Sequence, residues 1–440
     1  MPAADTKASE PRSDAASEDH PAPAPRTGDP GAADTDATKL SPGDPGHTRM
    51  RLALFAAGLA TFALLYETQA LLPEISRDLN ASPDQASWTV SGPTIGLAAA
   101  VLPLAALSER FGRRRILTVS MAAAVALALV VPFAPGLGAL VALRTLQGVA
   151  VAGVPASALA FLSDEVRRRH LVGAVGLFVA GNSVGGMSGR ILTGWVTQAW
   201  GWRAGLMAVA LTSLLCAVAF RLLVPEPRHF TPVPLRPAAM ARTVGRHLRN
   251  PLLLRLYAIG LLFMSVFGSV YTVIGYRLVE EPFSLSQGLV GSIFVIYLVG
   301  TLASATAGRL NARLGRRGTL YLGVGTASAG LLLSMVDSLF GVVAGLVLVT
   351  AGFFAGHAVA QGAVSQTATE GKAQASALYT MAYYLGSSLG GAFGALAFAA
   401  GGWAATASLG LGSMALAGCV TLYATRKAVV ANRVAVGAAA

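Results

Sequence analysis

The sequence predicts an all-α membrane protein whose roughly twelve transmembrane helices form two pseudo-symmetric six-helix bundles. Three observations predict it. The 440-residue chain is 54% hydrophobic and only 12% charged, with a mean hydropathy of +0.60. A water-facing surface needs about 25% charged residues, whereas about twelve spans of ~20 residues would consume the apolar content present. The bases fall almost wholly into alternate loops, and short motifs recur in register with about half the chain between copies.

The elements follow in order. Met1–His47 carries nine acids against four bases and almost no large apolar residue. Such a segment cannot bury enough surface to offset chain entropy, so residues 1–48 are expected to be a disordered tail. It lacks the basic-then-apolar order of a secretory leader. An N-terminal bundle is expected over 49–224, with spans near Leu52–Leu72, Trp88–Leu107, Ile116–Phe133, Ala139–Leu162, Val172–Thr193 and Ala204–Val224. Residues 225–253 form the longest hydrophilic connection. It opens with Pro225, Pro227, Pro232, Pro234 and Pro237, then places Met240, Val244 and Leu248 on one helical face with arginines on others. That pattern fits an interfacial helix or a plain linker. A C-terminal bundle follows over 254–427, with spans near Leu254–Tyr276, Gly288–Leu310, Thr319–Met335, Leu339–Gln361, Ala373–Phe398 and Ala404–Thr425. Residues 428–440 make a second tail.

Of 33 Lys and Arg, 28 fall on the side that holds both ends of the chain. Arg77, Arg203 and Arg277 fall on the other, and Arg144 and Arg190 lie within spans. The positive-inside rule makes the basic side cytoplasmic, with both termini there, in the cell membrane. The basic excess behind a pI of about 10.2 therefore faces anionic inner-leaflet lipids, and nucleic acid is not an expected partner.

Three patterns recur. Arg110-Phe111-Gly112-Arg113-Arg114 returns as Arg313-Leu314-Gly315-Arg316-Arg317, an offset of 203. Gly181-Asn182-Ser183-Val184-Gly185-Gly186 returns as Gly386-Ser387-Ser388-Leu389-Gly390-Gly391, an offset of 205. Ser82-Pro83-Asp84-Gln85 returns as Ser284-Leu285-Ser286-Gln287, an offset of 202. Three matches on equivalent spans imply a duplicated six-helix unit, a plan in which substrates bind between the halves near the midplane.

The loop from Ser108 to Arg115 joins two spans in very few residues, and Gly112 suits so tight a turn. Its arginines either reach lipid phosphates or a carboxylate on a neighbouring helix, or serve as topogenic charge alone. The run resembles the signature loop of the major facilitator superfamily, roughly G-x-L-x-D-R-x-G-R-R, with Ala105 for Gly and Glu109 for Asp. The second copy keeps Gly308 but has Ala312 at the acid. The resemblance implies a conformational gate of Glu109, Arg110, Gly112, Arg113, Arg313, Gly315 and Arg316. Its latch, an acid meeting a helix terminus across the interface, would rest on Glu109 alone.

Arg144-Thr145-Leu146-Gln147-Gly148 resembles a second pattern of that family, R-x-x-Q-G, linked there to proton coupling. An Arg within a span must face protein or water and find a partner, unless it reaches the outer interface from the first turn of its helix. The fifth span resembles the Gly-rich motif associated with antiporters, without its usual Pro. Gly181, Gly185 and Gly189, with Gly186 and the second-half Gly390 and Gly391, form smooth faces for helix packing.

Glu67 is the one acid clearly inside a span. It either lines the cavity, exchanging a proton for a cationic substrate, or sits wet at the outer mouth near Pro73. His357 is a second protonation candidate, or a packed, hydrogen-bonded histidine. Tyr66, Gln69, Gln147, Asn182, Tyr379 and Tyr383 could supply substrate contacts, although interhelical hydrogen bonding explains such residues equally well. Cys216 and Cys419 read as small core residues. Absence of a phosphate loop or metal-ligand spacing leaves no enzyme chemistry, cofactor or metal expected.

The resemblance implies a secondary transporter, most similar to bacterial drug/proton antiporters of the inner membrane, working as a monomer. On it, Glu67, Arg144 and His357 would couple protons to export of small amphipathic or cationic compounds. Two alternatives stay open at this level. One is a proton symporter or facilitator for a sugar or small organic acid, with Arg144 or Arg190 holding an anionic group; the other is a non-transporting membrane sensor.

Overall fold

The computed structural model describes residues 38–235 and 237–437, with side chains described as far as residue 422. Among the described residues the regular structure is helical, apart from one isolated bridge between Leu40 and Val166. The crossing helices are α1 (Pro45–Asp78), α2 (Pro83–Phe111), α3 (Arg113–Phe133), α4 (Leu137–Glu165) and α5 (Arg168–Leu223). A short amphipathic helix, α6 (Pro237–Arg249), precedes α7 (Pro251–Val279), α8 (Gln287–Leu333), α9 (Leu339–Thr367) and α10 (Lys372–Gly437).

Three of these are too long for one crossing. A straight α5 of 56 residues would run about 84 Å, against a hydrocarbon core of about 30 Å. It folds back at Gly201, whose φ of +79° is open to glycine and strained for other residues. The return is tight: a Cβ on Gly205 would lie 3.1 Å from the Thr193 carbonyl oxygen. In α10 the break falls at Gly401 and Gly402, and Thr406 Oγ1 then donates to the Gly394 carbonyl at 3.0 Å. In α8 it falls at Gly315, φ +70°, which repeats Gly112, φ +102°, between α2 and α3. Nine apolar helices among the described residues thus supply the twelve expected crossings.

The duplication appears in the packing. A Cβ on Gly181, Gly185 or Gly189 would strike α1 at Phe55, Leu59 or Ala63. One on Gly386, Gly390 or Gly394 would strike α7 at Leu261, Ser265 or Ser269. The glycines are offset by 205 and their targets by 206, so the first and fifth spans pack as the seventh and eleventh do. Without Cβ atoms the backbones approach closely, the main packing gain available where lipid removes the hydrophobic drive. Gly391 also packs closely, a Cβ there lying 3.0 Å from Ser91 of α2 and 3.3 Å from Thr272 of α7, whereas Gly186 has as its nearest neighbour the Arg190 side chain of its own helix at 3.4 Å.

The halves meet towards the Arg-poor end. Ser76 Oγ lies 2.6 Å from Tyr276 Oη, Trp195 Nε1 donates to Ser292 Oγ at 3.0 Å, and the Gly288 N–H donates to Gln198 Oε1 at 3.0 Å. Nearer mid-depth, Thr94 Oγ1 and Ser388 Oγ lie 2.6 Å apart. At the Arg-rich end Arg110, Arg115, Arg313 and Arg316 are exposed. There the linker binds both halves: the Val233 N–H donates to the Glu109 carbonyl at 3.0 Å, and Arg246 pairs with Glu370 at 2.7 Å.

The expected tail is corrected at its inner edge. Residues 1–37 lie outside the described residues; over 40–48 the backbone bonds to the end of α4 and then enters α1. The Leu40 N–H donates to the Glu165 carbonyl at 2.8 Å, and the Arg167 N–H donates to the Leu40 carbonyl at 3.1 Å. The Ser41 N–H and hydroxyl both bind Asp44, and Pro45 opens α1. Leu40 packs on the core of the first half, so one apolar side chain anchors an otherwise polar segment. The backbone of α10 stays helical to Gly437, across much of the second expected tail; residues 438–440 and Arg236 lie outside the described residues.

Candidate functional site

The site begins with a break in α1. Its first segment ends at Tyr66, Glu67 and Thr68 leave the helix, Gln69–Leu71 form a 3₁₀ turn, and helix resumes at Leu72 with Pro73. The last carbonyls of a helix lack intrahelical donors, and Arg144 of α4 supplies them. Its Nη1 donates to the Leu64 carbonyl at 2.6 Å, and its Nη2 to that of Leu65 at 2.8 Å. Its Nε reaches the Thr89 carbonyl of α2 at 3.2 Å.

The same guanidinium meets Glu67 Oε1 at 2.7 Å, and Gln147 Nε2 donates to that oxygen at 3.3 Å. Arg144 and Glu67 are 0% and 1% exposed. Arg144 therefore does not reach out to an interface, and Glu67 does not sit wet at the mouth. The spacing R-x-x-Q-G has a local cause: Arg144 and Gln147 share one face, and Gly148 lets α4 approach the backbone of α2 at Pro93. Glu67 Oε2 is buried with no hydrogen-bond partner.

In the second half, at the register of the paired helices (offset 206), Val273 and Thr350 stand where the first half has Glu67 and Arg144, so the charged pair is not repeated there; Thr350 Oγ1 instead lies 2.6 Å from Tyr271 Oη.

Two residues beyond Glu67, Gln69 Oε1 accepts from Arg190 Nε at 2.8 Å, and Gln69 Nε2 donates to Thr272 Oγ1 of α7 at 3.4 Å. Arg190 Nη1 also donates to the Gly186 carbonyl. The guanidinium is buried against three rings, 4.6 Å from Tyr66, 4.8 Å from Phe294 and 5.0 Å from Tyr297. Tyr66 Oη lies 3.5 Å from Ser387 Oγ of the second half.

His357, Tyr379 and Tyr383 form a third group. Tyr379 Oη lies 2.9 Å from His357 Nδ1, and the imidazole stacks on Phe353 with Tyr383 4.6 Å away. His357 is thus a packed, hydrogen-bonded histidine without a carboxylate partner among the described residues. Asn182 is not brought to the centre: its Oδ1 abuts Gly58 on α1 and has no hydrogen-bond partner.

In the signature loop, Glu109 lies 4.0 Å from Arg113, which reaches Asp164 at 3.4 Å and Ser108 Oγ at 2.8 Å. The Glu109 carboxylate therefore lies against its own loop, and the interdomain latch implied by resemblance is not formed in this state. Arg313 and Arg316 are exposed and make no ion pair among the described residues.

Arg190 is visible in the sequence as a base inside a span. Phe294 and Tyr297 escape sequence reasoning, because aromatics in an apolar span carry no distinguishing pattern.

A family model described as Major Facilitator Superfamily matches residues 50–280. The chain is 36% identical over 366 residues to the uncharacterized MFS-type transporter YybF of Bacillus subtilis (strain 168), covering 83% of this chain and 91% of that protein. The chain belongs to the major facilitator superfamily. It is a multi-pass membrane transporter of small molecules, not an enzyme. A second relative, the inner membrane transport protein YnfM of Escherichia coli (strain K12), is 37% identical over 379 residues, covering 84% of this chain and 91% of that one. In fold this chain matches the crystal structure of a bacterial homolog to the human lysosomal transporter Spinster, in inward-facing and occupied conformation. The TM-score is 0.70 at 17% identity, over 87% of this chain and 97% of that one.

Proposed function

We propose that the chain is a proton-coupled secondary transporter that exports small amphipathic compounds by alternating access, with Glu67 as the group that takes up and releases the proton. One observation carries the reading: a buried carboxylate at a helix break, one oxygen held by Arg144 and Gln147 and the other unpartnered. Protonation of Glu67 removes its charge attraction to Arg144, while the guanidinium keeps the Leu64 and Leu65 carbonyls. The change is thus felt at the break, two residues from Gln69, which touches both Arg190 and the second half. That route supports a proton in the first half biasing how the halves meet.

The basic end is assigned to the cytoplasm, with both termini there and the linker arginines against anionic lipids. In this state the halves meet at the opposite end, which suits a site open to the cytoplasm. Arg113 and Glu109 are assigned to the gate, closing across the interface when the molecule faces outward. One proton entering down a 100 mV potential contributes about 2.3 kcal/mol towards export.

A second reading, a proton symporter or facilitator for a small organic acid, is favoured by Arg190, a buried base with no ion-pair partner among the described residues. Proteoliposomes loaded with a pH-sensitive dye separate the two. Proton movement opposite to substrate supports export by antiport, and movement with it supports the second reading. Unaltered proton movement in correctly inserted Glu67→Gln protein would remove Glu67 from both.

A further inference from the structure

We propose that Arg190 is the recognition group for a small organic monoanion, a carboxylate joined to an apolar or aromatic body, bound where the two halves meet. The proposal rests on the reading of the chain as a transporter but not on proton coupling through Glu67.

The two buried arginines are in opposite conditions. Arg144 has its donors taken by three carbonyls, Gln147 and Glu67, and its charge is neutralised. Arg190 offers five N–H donors, yet among the described residues it makes two hydrogen bonds, both to neutral groups. Neither bond is to a carboxylate, and among the described residues Arg190 forms no ion pair. Three ring faces stabilise a cation only partly, and an isolated charge out of water is costly unless paired. A bound carboxylate would supply that partner with two parallel hydrogen bonds.

Tyr297 is the second, independent observation. Its ring lies 5.0 Å from the Arg190 guanidinium, it is 8% exposed, and its hydroxyl has no partner. A buried Tyr hydroxyl usually finds one. A carboxylate on Arg190 would accept from it.

The position suits a carried ligand. Arg190 and Tyr66 belong to the first half, and Phe294 and Tyr297 to the second, so an occupant of this cage would touch both bodies. Half-buried Phe62, Met187, Phe354 and Tyr383 offer apolar surface for its body. The charge balance also selects sign. The remaining acids of the crossing helices, Glu74, Asp78, Asp84, Glu109, Asp164 and Glu165, lie near helix ends. Glu67 is already neutralised by Arg144. One uncompensated positive charge remains at depth, and a monoanion matches it where a cation would be repelled.

Three probes with one body test this on the purified full-length protein: 1-naphthoate, its neutral amide, and 1-naphthylmethylammonium. Affinity is read from ligand-dependent thermal stabilisation. The naphthoate is expected to bind wild type at least about tenfold tighter than either analogue. Arg190→Gln should lose about tenfold for the naphthoate with the amide unchanged, and Arg190→Lys should lose less than Arg190→Gln. Tyr297→Phe keeps the ring, so it should melt like wild type while binding the naphthoate severalfold more weakly. That variant carries the test if Arg190→Gln does not fold. Absence of naphthoate binding, tighter binding of the ammonium, or naphthoate affinity unchanged in Tyr297→Phe and any folded Arg190 variant overturns the proposal. Glu67→Gln separates the two readings. Naphthoate binding retained while proton-linked transport persists rejects proton coupling through Glu67 alone, whereas proton-linked transport of the ammonium that ignores Arg190→Gln rejects the anion site alone.

Discussion

Glu67 and Gln69, two residues apart across the break in α1, hold different arginines: Glu67 meets Arg144 at 2.7 Å and Gln69 accepts from Arg190 at 2.8 Å. Arg144 is neutralised and Arg190 is not. The break thus carries an ion pair on one side and an uncompensated cation at the domain interface on the other. Any change in the charge of Glu67 acts on the same few backbone atoms that position Gln69. Proton and substrate sites can therefore be chemically separate yet mechanically joined.

Glu67→Gln mimics the protonated carboxyl in shape and removes its charge permanently. Exchange of labelled substrate across proteoliposome membranes at equal pH is expected to persist, while accumulation driven by a pH gradient falls to background. Loss of both would assign Glu67 to the transport path itself, and retention of both would leave it a purely structural residue.

Arg144→Ala strands a buried carboxylate and uncaps the Leu64 and Leu65 carbonyls together. Breaking a buried pair by removing one partner costs about 3–5 kcal/mol, so the variant should unfold well below wild type in a detergent melt. Arg144→Lys should recover little of this, since one ammonium cannot reach the carbonyls of α1 and α2 and the carboxylate of Glu67 at once. A lysine variant that melts like wild type would show that charge alone suffices there.

The duplication makes a paired prediction. Gly185 and Gly390 stand against the Leu59 and Ser265 carbonyls in equivalent helix pairs. Alanine at either is expected to push the backbones apart and cost about 1–3 kcal/mol, read as comparable drops in melting temperature. Gly176→Ala, on the same helix with nothing within 4 Å of the added carbon, should be neutral or slightly stabilising.

The twelve crossings and their pairing are legible because apolar length, basic loops and repeated glycines each report one physical constraint. The Arg144–Gln147–Glu67 centre is legible for a related reason: a charge in an apolar span must find a partner, and few candidates exist. The surroundings of Arg190 are not, since Phe294 and Tyr297 arrive from the other half and resemble any apolar-span aromatics. Asn182 shows the converse limit. It lies in a motif that looks functional, yet its amide abuts Gly58 between two helices of the same half. Composition also conceals Leu40, one apolar residue in a polar stretch, whose order depends on strand-like bonds to Glu165 and Arg167.

Leu40 supplies the last prediction, a comparison of two truncations. Removing residues 1–37 deletes only the acidic, apolar-poor stretch and should leave melting temperature and transport unchanged. Removing residues 1–44 also deletes Leu40, its two backbone bonds beside the end of α4, and the Ser41–Asp44 turn that leads into α1. Leu40 is half-buried, so it contributes less than the about 1.5–3 kcal/mol of a fully buried leucine, and each backbone bond adds about 1 kcal/mol. The longer truncation should therefore melt clearly lower, and Leu40→Ala in the full chain should reproduce most of the loss. Equal stability of the two truncations would mean that the Leu40 strand contributes no net stability, and that the fold begins at α1.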